Sequence, residues 1–247
     1  MNEPYPLTSA HKIAPAQTKS ASERADRPLS DEHPFGTILA HARQLDQGAL
    51  TVIFHRYLPV VYRYVAARVA HVQYAEDITS DTMLAILKGI DSTRAGDELT
   101  FAGWVLAIAR NKVAGHFRWL RLHPEIPLEP PEEDTHPHPL AALETTSVDA
   151  HPLAVVIARE EWGEVVAALN RLTGVQREVI IYRCILGYPT DSVARLLGKH
   201  PDAIRALQHR ALTSLARFLK ADRQRDEGNG ASTMLGGAIG HAPRTRP

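Results

Sequence analysis

The chain has 247 residues, 44% of them hydrophobic and 6% aromatic, and its 28 Lys and Arg residues balance its 28 Asp and Glu residues. The single cysteine, Cys184, excludes an intramolecular disulfide and a cysteine-based zinc cluster. There is no apolar run long enough to span a bilayer and no apolar core of a signal peptide. We therefore expect a cytoplasmic protein without membrane insertion. Cys184 lies in an apolar helical stretch and is expected to be buried.

The zero net charge hides a segregation of charge along the chain. Residues 101–122 contain four basic residues and no acid, whereas residues 122–153 contain seven acids and no Lys or Arg. Residues 194–220 contain six basic residues against Asp202 alone. Two basic blocks thus flank an acidic one, a layout that favours contact with nucleic acid more than the neutral sum does.

Helical periodicity begins at Leu50, beyond residues 1–34, which are rich in Pro, Ser and charge and are predicted to be a disordered extension. The apolar stripe from Leu50 to Val69 is interrupted at Pro59, which predicts a bend where a second helix begins. A third helix is predicted over residues 75–90, with carboxylates in its first half, where they suit the helix dipole.

Residues 91–100 are predicted to form a polar loop, and residues 101–120 a helix whose second half is basic. Such a helix can lie along phosphates while a neighbouring loop receives unstacked bases. An ordinary bundle helix with surface charge explains the pattern equally well. Seven prolines then predict a disordered acidic linker over residues 122–152.

Helices resume near Pro152 and are predicted over residues 153–172, 175–186, 190–197 and 201–219, before a disordered tail at 221–247. No alternating strand pattern is present, so the predicted fold is all-α. Two small helical domains, residues 35–121 and 153–220, are expected to be joined by the linker.

The last two predicted helices form a helix-turn-helix pattern, with Gly198 at the corner and Pro201 in the first turn of the second helix. Ala203, Ile204 and Leu207 are expected to pack inward. The outer side then carries Asp202, Arg205, Gln208 and His209, preceded by Lys199 and His200. Arg and Gln suit paired hydrogen bonds with guanine and adenine edges. The alternative is a helical hairpin with a solvated basic face.

Several of these stretches resemble a known family. The runs from Phe54 to Val65, Ala75 to Met83 and Phe101 to Asn111 look like conserved region 2 of bacterial sigma factors, and the run from Leu169 to Leu212 looks like region 4. Both regions in this order, with a linker and nothing that resembles region 3, are similar to the extracytoplasmic-function (ECF) group of the sigma-70 family.

The resemblance implies a protein that binds core RNA polymerase and directs it to promoter DNA. Asp77 and Asp81 would dock on the clamp helices of the largest polymerase subunit. The residues expected near the −10 element are Asp91, Ser92, Thr93, Arg94, Arg110, Asn111, Lys112 and Arg118. Those expected at the −35 element are Lys199, His200, Asp202, Arg205, Gln208 and His209. The acidic linker either threads through polymerase channels or is a solvated tether.

The alternative function is a conventional helix-turn-helix regulator that acts without polymerase, which would leave the first helical domain without a role. No phosphate-binding Gly loop, metal-ligand constellation or nucleophile–base pair is evident, so no enzyme activity, cofactor or metal is expected. The sequence leaves open the promoter consensus and whether an anti-sigma factor holds the protein inactive.

Overall fold

The computed structural model describes residues 30–123 and 152–235, and within these the side chains of residues 30–123 and 161–224. These residues are helical and contain no strand, which confirms the all-α prediction. The helices are α1 (Phe35–Arg43), α2 (Gln47–Ala66), α3 (Val72–Gly89), α4 (Glu98–Leu122), α5 (Pro152–Arg171), α6 (Gly174–Ile180), α7 (Thr190–Leu197) and α8 (Pro201–Leu235), with a π-helix (Ile181–Ile185) after α6. Residues 1–29, 124–151 and 236–247 lie outside the described residues, and the middle range covers the predicted linker except for its first two residues and its last.

Helices α1–α4 form an N-terminal bundle whose boundaries follow from local capping. Asp46 caps α2 by accepting a hydrogen bond from the Ala49 amide at 2.8 Å, and Asp97 caps α4 by accepting from the Thr100 amide at 2.9 Å. The apolar stripe predicted from Leu50 onward lies in the core, where Ile53 and Val61 are fully buried. The two caps therefore set the residues at which α2 and α4 begin.

Pro59 does not begin a new helix, contrary to the sequence prediction, because α2 continues through it to Ala66. A proline inside a helix removes the hydrogen bond to the carbonyl four residues earlier, which belongs here to His55. His55 is exposed, so water can satisfy that carbonyl. The packing of Tyr57 and Val61 on either side of Pro59 keeps both halves of α2 in one register.

Helices α5–α8 form the C-terminal domain, and the helix-turn-helix predicted there is present as α7, a corner and α8. A capping box between Thr173 and Gln176 starts α6. The predicted helix over residues 175–186 instead changes to a π-helix after Ile180. Cys184 in that segment is exposed, so its predicted burial is wrong.

Helix α8 also continues to Leu235, beyond the predicted helix end at Leu219, so the expected disorder from residue 221 is wrong up to that point. No proline lies between Pro201 and Leu235 that would end the helix earlier. Of the three residues expected to pack inward, Ile204 is buried, Leu207 is half-buried and Ala203 is exposed.

Gly198 is the corner of the helix-turn-helix and adopts φ 60° and ψ 42°, the left-handed conformation. No atom lies within 4 Å of the position that a Cβ would take there, so the cost of an added methyl group would come from backbone strain and not from a steric clash. We expect Gly198→Ala to lower the free energy of unfolding by about 1–2 kcal/mol. Urea denaturation would measure this, with Gly174→Ala, a glycine in ordinary helical space, as the matched control. Equal midpoints for the two variants would contradict the prediction.

The two helical domains pack directly against each other. Buried residues of both belong to one continuous apolar cluster, which includes Val61 and Val65 of α2 together with Leu169, Val179 and Val193 of the C-terminal domain. The picture of two domains joined only through a linker is therefore incomplete.

Candidate nucleic-acid interface

The start of α8 presents the polar surface that the helix-turn-helix pattern predicted. Lys199, His200, Asp202, Arg205 and His209 are all exposed. Arg205 forms an ion pair with Asp202 one turn earlier, and the His200 Nδ1 atom lies 3.4 Å from a carboxylate oxygen of the same aspartate. These five side chains are free to reach a ligand. The exposed ion pair between Arg205 and Asp202 can be replaced by contacts with a ligand at little cost in free energy.

Gln208 is placed differently from the other predicted residues. It is half-buried, and its Oε1 atom accepts a hydrogen bond from Nε of Arg183 at 3.3 Å. Its amide nitrogen lies 3.9 Å from the sulfur of Cys184. Gln208 therefore faces the π-helix, and its expected position on the outer side is wrong. Its role at the −35 element stays a prediction.

Arg183 is a residue that the sequence did not single out. From the π-helix its guanidinium bonds to Gln208 on α8 and also donates to the main-chain carbonyl of Tyr188 in the turn before α7. One side chain thus ties the recognition helix to the turn that precedes its partner helix. The sequence indicates this bridging role only weakly, because a single arginine within an apolar helical run usually indicates a surface residue.

Substitution Arg183→Ala should lower −35-dependent transcription by up to about thirtyfold, because two hydrogen bonds, each worth about 1 kcal/mol, position α7 and α8. Arg183→Lys should not restore it, since lysine keeps the charge but lacks the planar fork that reaches both acceptors. Holoenzyme formation should be unchanged in both variants. Full activity of the lysine variant would show that the charge alone matters.

On the N-terminal bundle, α3 and α4 together form an open groove. It is lined by Asp77 and Asp81 from α3 and by Asn111, Lys112 and Trp119 from α4. The Lys112 ammonium lies 3.1 Å from the Asp81 carboxylate. The structure thus brings the predicted polymerase-binding carboxylates next to two residues predicted to lie near the −10 element.

The far wall of this groove contains His116, whose ring lies 4.9 Å from that of Tyr74. Burial, with a smaller contribution from nearby His71, lowers the pKa of His116. The imidazole is therefore neutral at neutral pH, and Lys112 is the one cation among the residues that line the groove. Arg110 and Arg118 are exposed elsewhere on α4.

The predicted −10 residues do not form one cluster. The loop from Asp91 to Arg94 lies before α4, whereas Arg110 to Arg118 lie in its second half, about 20 Å further along the axis at 1.5 Å per residue. Within the loop, Asp91, Ser92 and Arg94 are exposed, but Thr93 is buried. Arg43 of α1 fixes the loop by donating to the Ala95 carbonyl.

Asp97, at the end of this loop, is a charged capping residue of α4. Hydrogen bonds from the Thr100 amide and hydroxyl lower the pKa of Asp97, so that its carboxylate stays charged at the start of α4. Among the described residues, no group of three or more His, Cys, Asp or Glu could hold a metal ion. Nor is any helix in the described part of the chain both long and apolar enough to cross a membrane.

A helical bundle with an acid-and-base groove, joined to a helix-turn-helix with an exposed polar recognition surface, defines a DNA-binding protein of the transcription apparatus. Comparison with known families gives the same class. Residues 53–121 match the model for Sigma-70 region 2, and residues 162–215 match the model for Sigma-70, region 4.

The chain is 31% identical over 194 residues to the ECF RNA polymerase sigma factor BldN of Streptomyces coelicolor, covering 78% of this chain and 69% of that protein. It is 29% identical over 182 residues to the ECF RNA polymerase sigma factor SigD of Mycobacterium tuberculosis, covering 72% and 80%. The solved structure of CnrH in complex with the cytosolic domain of CnrY shares the fold, with a TM-score of 0.52, 21% identity and coverage of 75% of this chain and 97% of that one. The chain belongs to the ECF RNA polymerase sigma factors.

Proposed function

We propose that this sigma factor binds core RNA polymerase through the α3–α4 groove and selects promoters through α8. Membership of the family gives the function of directing polymerase to promoter DNA. The observation that carries the residue assignment is the exposure of five polar residues at the entry of a helix-turn-helix, together with the paired carboxylates of the groove. A helix presented in this way suits the major groove of duplex DNA.

The −35 element is assigned to the exposed residues at the start of α8, with Arg205 as the base reader and Lys199 as a phosphate contact. The −10 element is assigned to the exposed loop residues Asp91, Ser92 and Arg94 and to the basic half of α4. Asp77 and Asp81 are assigned to the polymerase. A partnership with an anti-sigma factor and a cytoplasmic location stay predictions.

Run-off transcription with core polymerase on a genomic promoter library tests the proposal against a conventional regulator. A sigma factor should give specific transcripts only when protein and core are both present, and should bind duplex promoter DNA weakly alone. Tight operator binding without polymerase, and no transcript with it, would favour the regulator.

The acidic stretch around Glu132, Glu133 and Asp134 lies outside the described residues. If its charge acts inside the polymerase, neutralising these three residues should reduce initiation and leave −35 affinity unchanged. A Gly-Ser segment of equal length that transcribes normally would show that the stretch is a tether.

A further inference from the structure

The loop between α3 and α4, to which the −10 element is assigned, has an inner and an outer face. Thr93 and Ala95 are 9% and 4% exposed, whereas Arg94, which lies between them, is exposed. Gly96 is exposed as well, and a Cβ added there would meet no atom within 4 Å. The two inner residues therefore hold the backbone against the bundle, and Arg94 extends to the outside from between them.

The two ends of the loop are held by the helices that it connects. At its start, the Ser92 amide and hydroxyl both donate to the Gly89 carbonyl in the last turn of α3, at 3.2 Å and 3.0 Å. Gly89 in turn lies against α4, since a Cβ added to it would lie 3.2 Å from the Trp104 indole. At its end, Asp97 caps α4. Both ends are therefore fixed without help from the rest of the bundle.

The middle of the loop depends on a side chain from another helix. Ala95 is buried, and a buried main-chain carbonyl needs a hydrogen-bond donor. The guanidinium of Arg43 on α1 donates to that carbonyl. The Ala95 amide makes only a long bond, at 3.5 Å, to the Thr93 hydroxyl. The charge-assisted bond from Arg43 therefore holds the backbone on one side of Arg94.

The contact with the loop is the main polar interaction of Arg43. The Ala95 carbonyl is the one hydrogen-bond or ion-pair partner of this side chain among the described residues. The Arg43 Nε atom is buried and has no hydrogen-bond partner in the same part of the chain. A buried donor without a partner costs free energy, so a side chain that served only the stability of the bundle would be poorly suited to this position.

The backbone of Arg43 is fixed by the way in which α1 ends. The Leu45 amide donates to the Ala42 carbonyl at 3.0 Å and the Asp46 amide to the His41 carbonyl at 3.2 Å, which is the Schellman motif. Leu45 adopts φ 61°, the left-handed conformation that normally favours glycine. Such strain persists only where the surrounding structure determines the conformation. The chain therefore reverses directly after Arg43 and holds it in the last turn of α1.

We propose that Arg43 is a positioning residue for recognition of the −10 element: it holds the loop backbone at Ala95, so that Arg94 meets the DNA in one orientation. The inference rests on the proposed assignment of this loop to the −10 element. Arg43 itself need not touch DNA. A side chain discriminates between base edges only when its backbone is held in place, because a contact with phosphate carries no sequence information and demands less precise geometry.

The base preference of the holoenzyme tests this role. Full-length Arg43→Ala, assembled with core polymerase, should transcribe a library randomised in the −10 element with about tenfold less preference for the best sequence over the others, because one charge-assisted hydrogen bond is lost. The preference in the −35 element should be unchanged. Arg63→Ala on α2 is the matched control, since it removes the same charge from a half-buried arginine without a bond to the loop.

Amide hydrogen exchange of the free full-length protein measures the loop directly. Exchange in the peptide that covers residues 91–97 should be severalfold faster in Arg43→Ala than in the wild-type protein or in Arg63→Ala, with α2 unchanged. Arg43→Lys keeps the charge and a donor but not the planar guanidinium, so it should give intermediate values in both measurements. This variant also carries the test if circular dichroism shows that Arg43→Ala does not fold.

Arg94→Ala separates the proposal from the assignment on which it rests, because it removes the outer side chain and leaves the bond between Arg43 and Ala95 in place. If Arg94→Ala changes the −10 preference while the Arg43 variants only lower transcription uniformly, Arg43 merely stabilises the bundle and the positioning role is wrong. An unchanged exchange rate of the loop in the Arg43 variants would overturn it as well. If neither Arg94→Ala nor the Arg43 variants alter the −10 preference, the assignment of the loop to the −10 element fails.

Discussion

Replacing both Asp77 and Asp81 with Lys is expected to abolish assembly with core RNA polymerase. The two carboxylates are four residues apart on α3, exposed, and share the groove, so they can meet one basic surface together. Reversing both charges converts attraction into repulsion, which costs several kcal/mol and lowers affinity by at least about a hundredfold. Affinity should be measured by titrating labelled protein with core polymerase, and helical content by circular dichroism.

The ion pair between Asp81 and Lys112 requires its own control. If Asp81 served only to hold Lys112, the charge exchange Asp81→Lys with Lys112→Asp would preserve the pair and the affinity. We expect the exchange variant to bind as poorly as Asp81→Lys alone. Glu161→Lys with Glu164→Lys on α5 gives the same change in net charge away from the groove and should bind normally. Undiminished binding of the Asp77 and Asp81 double variant would remove α3 from the polymerase interface.

The helix pattern was largely predictable because strong local signals bound the elements. Gly198 and Pro201 bracket the helix-turn-helix corner, and the predicted helix over residues 190–197 agrees with α7. Asp97 and Thr100 mark the start of α4, although the prediction began it at Phe101 and missed the capping residue. Pro59 misled because the local cost of proline in a helix interior, about 3 kcal/mol, is outweighed here by the burial of Tyr57 and Val61 on either side of it.

The orientation of side chains was harder to predict than the helices themselves. A π-helix adds one residue to a turn, so the faces of the following residues shift, and no pattern of apolar residues announces it. Cys184 therefore lies outside, and Arg183 reaches the recognition helix. Gln208, spaced three residues from Arg205, was expected beside it, but its bond to Arg183 turns it toward the domain.

The packing of the two domains against each other could not be predicted from the sequence, for a different reason. Tyr64 and Glu178 are 114 residues apart, and neither sits in a motif that implies the other. A tyrosine in an apolar stripe indicates a core position, and a glutamate in a helix indicates a solvated one. Their pairing depends on how two domains pack, which hydrophobic periodicity does not encode.

Arg205→Ala is expected to relax the preference at one base pair of the −35 element, whereas Lys199→Ala should weaken all promoters alike. Arg205 projects from the second turn of α8, and its only bonded partner among the described residues is Asp202, an exposed neighbour. A bidentate pair with guanine contributes about 1–3 kcal/mol of discrimination, so the preference should fall by roughly five- to a hundredfold at that position. Lys199 precedes α8 and suits a phosphate, a contact that carries no sequence information.

Transcription by each mutant holoenzyme across a library randomised in the −35 element separates the two roles. Loss of a base contact changes the preference at one position, whereas loss of a phosphate contact lowers the affinity for every sequence alike. Lys199→Ala should also reduce the slope of log affinity against log salt concentration by about one, as expected for the loss of one phosphate contact. Gln208→Ala should behave like Arg183→Ala, since the two side chains position α8 together. If Arg205→Ala instead lost activity uniformly with an unchanged base preference, Arg205 would be a phosphate contact. The register of α8 in the major groove would then have to be rotated toward His209, the next exposed polar residue along the helix.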